Sequence, residues 1–69
     1  MPITMIGVGE KQRISRITGK SEVRRHLANL GFVEGEYVTI VSRMGQSVIV
    51  CVKEARIALD QDMANRIFI

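Results

Sequence analysis

The sequence predicts a mainly β domain, a small closed or nearly closed barrel of about five short strands with one α-helix inserted between the first and second. Three observations predict it. Val38 to Ser42 and Val48 to Val52 are β-branched runs of strand length, set on either side of a glycine-containing turn. A single amphipathic stripe is complete with its own stop signal, so the chain holds one helix of ordinary length. Closing so small a sheet would hide the strand edges that otherwise invite aggregation.

Pro2 to Gly9 is an apolar lead-in expected as a loop. Glu10 to Thr18 is the first strand. Ile14 and Ile17 stand three apart, so strict alternation would send them to opposite faces; a bulge or strong coiling around Ser15 and Arg16 reconciles them. Ser21 is the expected N-cap of the helix, with Glu22 in the first turn where the macrodipole favours an acid. Val23, Leu27 and Leu30 fall at i, i+4 and i+7 and form its apolar stripe. With Leu30 as C-cap, Gly31 is free to take positive φ and Phe32 can pack on Leu27, the pattern of a Schellman stop. Gly35, between two glutamates, supplies the next turn. Strands follow over Tyr37 to Ser42, Ser47 to Val52 and Arg56 to Leu59, joined by turns at Arg43 to Ser47 and Lys53 to Ala55. Asp60 caps a single helical turn through Met63 and Ala64, and Arg66 to Ile69 is the last strand. The inward set is then Ile14, Leu27, Leu30, Phe32, Val38, Ile40, Val48, Val50, Val52, Ile57, Leu59, Ala64, Ile67 and Ile69.

Sixty-nine residues make one domain, 1–69, with no linker, repeat or low-complexity stretch. A hydrophobic fraction of 46% beside 25% charged residues belongs to a soluble globular chain. The longest apolar run, Val48 to Val52, is far below the ~18 residues of a membrane span. One cysteine, Cys51, forbids an internal disulfide and suits a reducing compartment, so a cytoplasmic location is expected. Ten basic and seven acidic residues leave +3, and residues 1–35, with six basic and three acidic groups, hold that excess. No five-residue cationic run occurs, which argues for a solvated basic face over a nucleic-acid groove.

The pattern Leu27-x-x-Leu30-Gly31-Phe32-x-x-Gly35-x-x-Val38-x-Ile40, then Val48-x-Val50-x-Val52, Ile57-Ala58-Leu59 and Ala64-x-x-Ile67-x-Ile69 resembles the FeoA family over nearly the whole chain. The resemblance implies an SH3-like β-barrel. It also implies a small cytosolic accessory of ferrous iron transport, with the membrane transporter FeoB, which carries a cytoplasmic GTPase domain, as partner. The same module is similar to the C-terminal domain of diphtheria-toxin-repressor-type iron regulators, but this length leaves no room for a DNA-reading helix-turn-helix. Ser47 and Glu54 depart from the family pattern, which more often has Pro and Gly there; both fall in turns.

Chemical motifs are sparse. Gly19-Lys20-Ser21 imitates the end of a phosphate-binding loop, yet the glycine required five residues before Gly19 is Ile14. Gly7-Val8-Gly9 lacks the third glycine of a dinucleotide fingerprint, since Gln12 stands there. His26, Cys51, Asp60, Asp62 and the four methionines are the candidate metal ligands, and no three converge by spacing, so no metal site and no cofactor are expected; transient contact with ferrous iron has no support in ligand spacing. A filled barrel with one histidine offers no shelter for a reaction, and no enzyme is expected. Two function classes remain: a protein-interaction module acting on the iron transporter, and a nucleic-acid-binding small barrel, which would stack bases on exposed aromatics between basic residues, whereas here Phe32 is expected in the core and Tyr37 and Phe68 sit in the more neutral half of the chain.

Alternation supplies a partner-binding surface. If Val38, Ile40, Val48, Val50 and Val52 face inward, Tyr37, Thr39, Val41, Ile49 and Cys51 face outward, and none is charged. Met44 at the connecting turn adds an adaptable apolar group. This strip is expected to take FeoB, or to mediate self-association, unless a second layer of the same domain buries it.

Overall fold

The computed structural model describes all residues from Met1 to Ile69. Six strands and two helices run in the order β1 (Lys11–Arg13), β2 (Arg16–Ile17), α1 (Ser21–Asn29), β3 (Tyr37–Met44), β4 (Ser47–Val52), β5 (Ala55–Asp60), α2 (Gln61–Ala64) and β6 (Ile67–Phe68). Strands β1-β3-β4-β5 form one antiparallel sheet and β2-β6 a second. The mainly β architecture is as the sequence predicts, with two corrections. Backbone pairing does not close the ring, so this is an open pair of sheets and not a closed barrel. The helix sits between β2 and β3 because the first predicted strand is two strands.

That division has a local cause. Ile14 is 1% exposed; its N–H donates to Glu36 O at 2.9 Å and its C=O accepts from Gly35 N–H at 2.8 Å, the last bonds toward the segment that leads into β3. At the next residue Ser15 N–H donates to Phe68 O at 2.7 Å, toward the small sheet. The chain thus changes sheets at Ile14–Ser15, and Ile17 joins the core from the second sheet.

The helix ends as its sequence requires. Leu30 is the C-cap and Gly31 takes φ +107. Phe32 N–H donates to Leu27 O at 2.9 Å and Gly31 N–H to Ala28 O at 3.0 Å, the two bonds of a Schellman motif. Leu27 and Phe32 are both fully buried. The start differs from expectation. Lys20, in extended conformation, is the N-cap and makes no side-chain cap bond; Arg24 N–H bonds Lys20 O, so Ser21 is already inside the helix. Gly35 closes the turn Val33–Glu36, in which Glu36 N–H donates to Val33 O at 3.1 Å. Asp60 caps α2 as predicted, its carboxylate accepting from Met63 N–H at 2.8 Å.

Both hairpin turns are tighter than the sequence reading allows. β3 runs to Met44 and β4 starts at Ser47, so Gly45 and Gln46 alone connect them. Lys53 and Glu54 join β4 to β5, and both adopt left-handed backbone, at φ +48 and +66. Between Ile40 and Ser42 the β3–β4 register slips, which makes Val41 a bulge. Beyond it the alternation of β3 inverts. Arg43 pairs with inward Val48, and its guanidinium donates to the carbonyl of Ile6.

One hydrophobic cluster fills the space between the sheets. Of the predicted inward residues, Leu30, Ile57 and Ile69 are half-buried and pack against this cluster, while the others lie within it. Ile3 and Ile6 are additions. The lead-in is no plain loop: Ile3–Met5 is a 3-10 turn that delivers both side chains to the core.

Candidate functional site

The outer face of the four-stranded sheet carries the predicted strip. Register fixes its rows: Lys11, Thr39, Cys51 and Arg56 lie side by side across β1, β3, β4 and β5. Ser42, Ile49 and Ala58 form the next row, and Arg13 stands beside Tyr37. Tyr37 is 51% exposed and Met44, at the hairpin end, 66%. Val41, Ile49 and Cys51 are half-buried, flanked by strand neighbours. Ile3 and Ile6 of the lead-in and Leu27 of α1 all belong to the inner cluster, so no second layer lies on this side. Tyr37, Val41, Ile49 and Cys51 therefore share one open face, with Met44 at its margin. Leu27, Leu30, Gly31, Phe32 and Gly35 instead build the helix stop and turn, with Leu27 and Phe32 also in the core.

Charge surrounds this strip and does not cross it. The Lys11 ammonium lies 5.3 Å from the centroid of the Tyr37 ring. Lys53 and Glu36 form the one salt bridge, at 3.9 Å, near the same end. A shallow cleft of about 300 Å³ lies between them, lined by Tyr37, Thr39, Cys51, Lys53 and Glu54 among others. Sequence reasoning missed Lys11, Arg13, Arg56 and Ala58 as neighbours of the strip. The alternation Lys11-x-Arg13 was a signal, but pairing between strands distant in sequence was not legible.

Elsewhere the polar groups are dispersed. No group of three or more His, Cys, Asp or Glu side chains lies close enough to share a metal ion. His26 is exposed on α1, Cys51 is a free thiol on the outer face, and Asp60 is engaged as a helix cap. Gly19-Lys20-Ser21 does open α1, but Ile14, where a phosphate loop would need glycine, is core. A second cleft of about 500 Å³, beside Arg13, Ser15 and Glu34, contains neither a histidine nor a cysteine. No helix is long and apolar enough to cross a membrane.

Comparison with known proteins gives one consistent result. A family model described as FeoA domain matches residues 1–69. No curated protein matches the chain. Among solved structures, an iron uptake regulatory protein, FeoA, superposes with a TM-score of 0.89 at 24% identity, over 97% of this chain and 91% of that one. The zinc-complexed FeoA of Stenotrophomonas maltophilia, described as a prokaryotic SH3 domain protein, gives 0.85 at 26% identity, over 97% and 86%. The regulator IdeR of T. acidophilum gives 0.85 at 29% identity; 97% of this chain covers only 32% of that one.

Proposed function

Because the chain belongs to the FeoA family, we propose that it is a cytoplasmic accessory of ferrous iron transport and acts as a protein-interaction module on the cytoplasmic part of the membrane transporter FeoB. The family itself is associated with ferrous iron transport. The observation that carries the finer reading is the uncharged outer strip of Tyr37, Thr39, Val41, Ile49 and Cys51, continued by Met44 at the hairpin end. A strand facing only water would place charges at several of these positions, and folding alone gives no reason for Ile49 to be there. A contiguous apolar strip on an otherwise charged domain marks a contact surface. The module needs neither catalysis nor a resident metal to act in this way.

A pull-down from membranes of the native cell tests the reading. Recovery of FeoB with the intact chain, lost with Ile49→Lys, supports it. Recovery of RNA or ribosomal proteins in its place would sink it. A nucleic-acid role draws on one observation: the register brings Lys11 and Arg13 against exposed Tyr37, a basic-aromatic cluster. Glu36 and Glu54 at the same cleft weigh against it, since both repel a phosphate backbone. Titration with single-stranded and duplex oligonucleotides at low salt separates the two classes. Micromolar binding with a steep salt slope is the outcome that would favour nucleic acid.

A further inference from the structure

The four-stranded sheet ends at β5, and that edge has no partner. In the sheet Ala55–Asp60 pairs with β4 alone, and none of the turn, loop or cap backbone hydrogen bonds involves these six residues. The direction of the free groups follows from the hairpin. Val52 and Ala55 close a two-residue turn, so theirs is a hydrogen-bonded pair, and bonded pairs alternate along the ladder. Arg56, Ala58 and Asp60 consequently direct their N–H and C=O groups away from β4. All three are exposed. The edge is regular over its whole length, with no proline, lysine or bulge to block a further strand.

We propose that β5 pairs antiparallel with β5 of a second copy of this chain, with Ala58 on the two-fold axis. The register is selected by charge. Centred on Ala58, Arg56 lies opposite the partner's Asp60, and Asp60 opposite the partner's Arg56. Sliding one strand by two residues sets Arg56 or Asp60 opposite the partner's Ala58 and loses both charge pairs, and sliding it by four brings Arg56 onto the partner's Arg56, or Asp60 onto the partner's Asp60. Like charges directly opposite destabilise a pair and opposite charges stabilise it. In the centred register Ala58 exchanges both backbone hydrogen bonds with its counterpart, and at each end the Asp60 N–H donates to the C=O of the partner's Arg56, while the Asp60 C=O belongs to the first turn of α2 that Asp60 caps. The Asp60 carboxylate can serve its own helix and the second copy together, because Oδ1 accepts from Met63 N–H and Oδ2 is left for the guanidinium. On the inner face Ile57 meets the partner's Leu59, extending the hydrophobic layer across the axis. On the outer face the row Ser42, Ile49, Ala58 continues through the partner's Ala58 to its Ile49, so two short strips become one. The dimer is a self-complementary C2 arrangement, the commonest kind.

One strand's width of contact is well below the area of a stable interface, so the expected association is weak, with Kd on the order of 10⁻⁴ M. Sedimentation equilibrium on the intact chain, from about 20 μM to about 2 mM, spans that constant. The expected result is a mass rising from the monomer's 7.7 kDa toward twice that value. Arg56→Glu sets like charges opposite at both ends and should raise Kd by about tenfold or more with an unchanged thermal melt. Ala58→Pro removes the N–H on the axis and should abolish the dimer. If Ala58→Pro fails to fold, Arg56→Glu decides alone. A chain that stays monomeric to the highest concentration overturns the proposal. So does association that ignores Arg56→Glu but is lost with Ile49→Lys, which would place the contact on the sheet face.

Discussion

The two faces of β4 are built from similar side chains and lead opposite lives. Inward, Val48, Val50 and Val52 are no more than 4% exposed. Outward, Ser47, Ile49 and Cys51 remain half-buried with nothing laid over them. Hydropathy does not separate Ile49 from the inner set, since it is more apolar than any of the valines. What distinguishes them is the opposite layer: Ile3, Leu27, Phe32 and Ile67 converge on one face and nothing does on the other. The inner valines are explained by folding. The outer residues gain less from it, and the proposed docking strip is made of them.

The contrast can be broken or sharpened by substitution, and the largest effect is expected inside. Val50→Lys places an ammonium in a fully buried site without a partner, at a cost of about 4 kcal/mol or more, comparable to the whole stability of so small a domain. Circular dichroism should show an unfolded chain at room temperature. Gly31→Val comes next. A Cβ there would meet Val52 at an unstrained 3.6 Å, so the damage comes from φ +107, which a β-branched residue resists, and from the unseating of Phe32. A loss of about 2 kcal/mol, or roughly 10 °C in Tm, is expected. Glu54→Gly should act in the opposite direction. It relieves left-handed backbone at the β4–β5 turn and should stabilise by about 0.5–1 kcal/mol, read as a higher Tm. Ile49→Lys should move the melt least, by about 0.5 kcal/mol, because its side chain can reach water. If Ile49→Lys unfolds the chain as thoroughly as Val50→Lys, the outer face is core and the proposed docking strip does not exist.

Legibility in the sequence followed the range of the interactions. The Schellman stop, the Asp60 cap and the alternation of β4 are set by residues within a few positions of one another, and each stands where the pattern predicts. The lead-in was misread because a three-residue 3-10 turn has no periodicity, and a glycine-ended apolar stretch gives the same signal as a loop. The spacing of Ile14 and Ile17 marked the irregularity in the first strand. That the chain changes sheets there depends on Glu36 and Phe68, which local spacing cannot reveal. Ser21 lost its cap role because Lys20, following Gly19 at positive φ, already adopts the extended conformation that a cap requires. For the candidate site, outward alternation identified Tyr37, Ile49 and Cys51 from the sequence. Their basic surroundings needed the register of β1 on β3, which joins segments separated by the whole helix.

The small sheet has a consequence for how the chain folds and breathes. The β3–β4–β5 meander needs only two-residue loops, so its pairing is local and fast. The β2–β6 ladder must join distant segments: the Ser15 hydroxyl donates to Phe68 O across 53 positions, and the Met1 ammonium to Ile69 O across 68. Such pairings form after the loop they close has been ordered, and with two residues per strand they hold little energy of their own. The small sheet is therefore a clasp, made last and opened first. In native-state hydrogen exchange the amides of Ser15, Thr18 and Ile69 should open well below the global free energy, while those of β4 exchange only through complete unfolding.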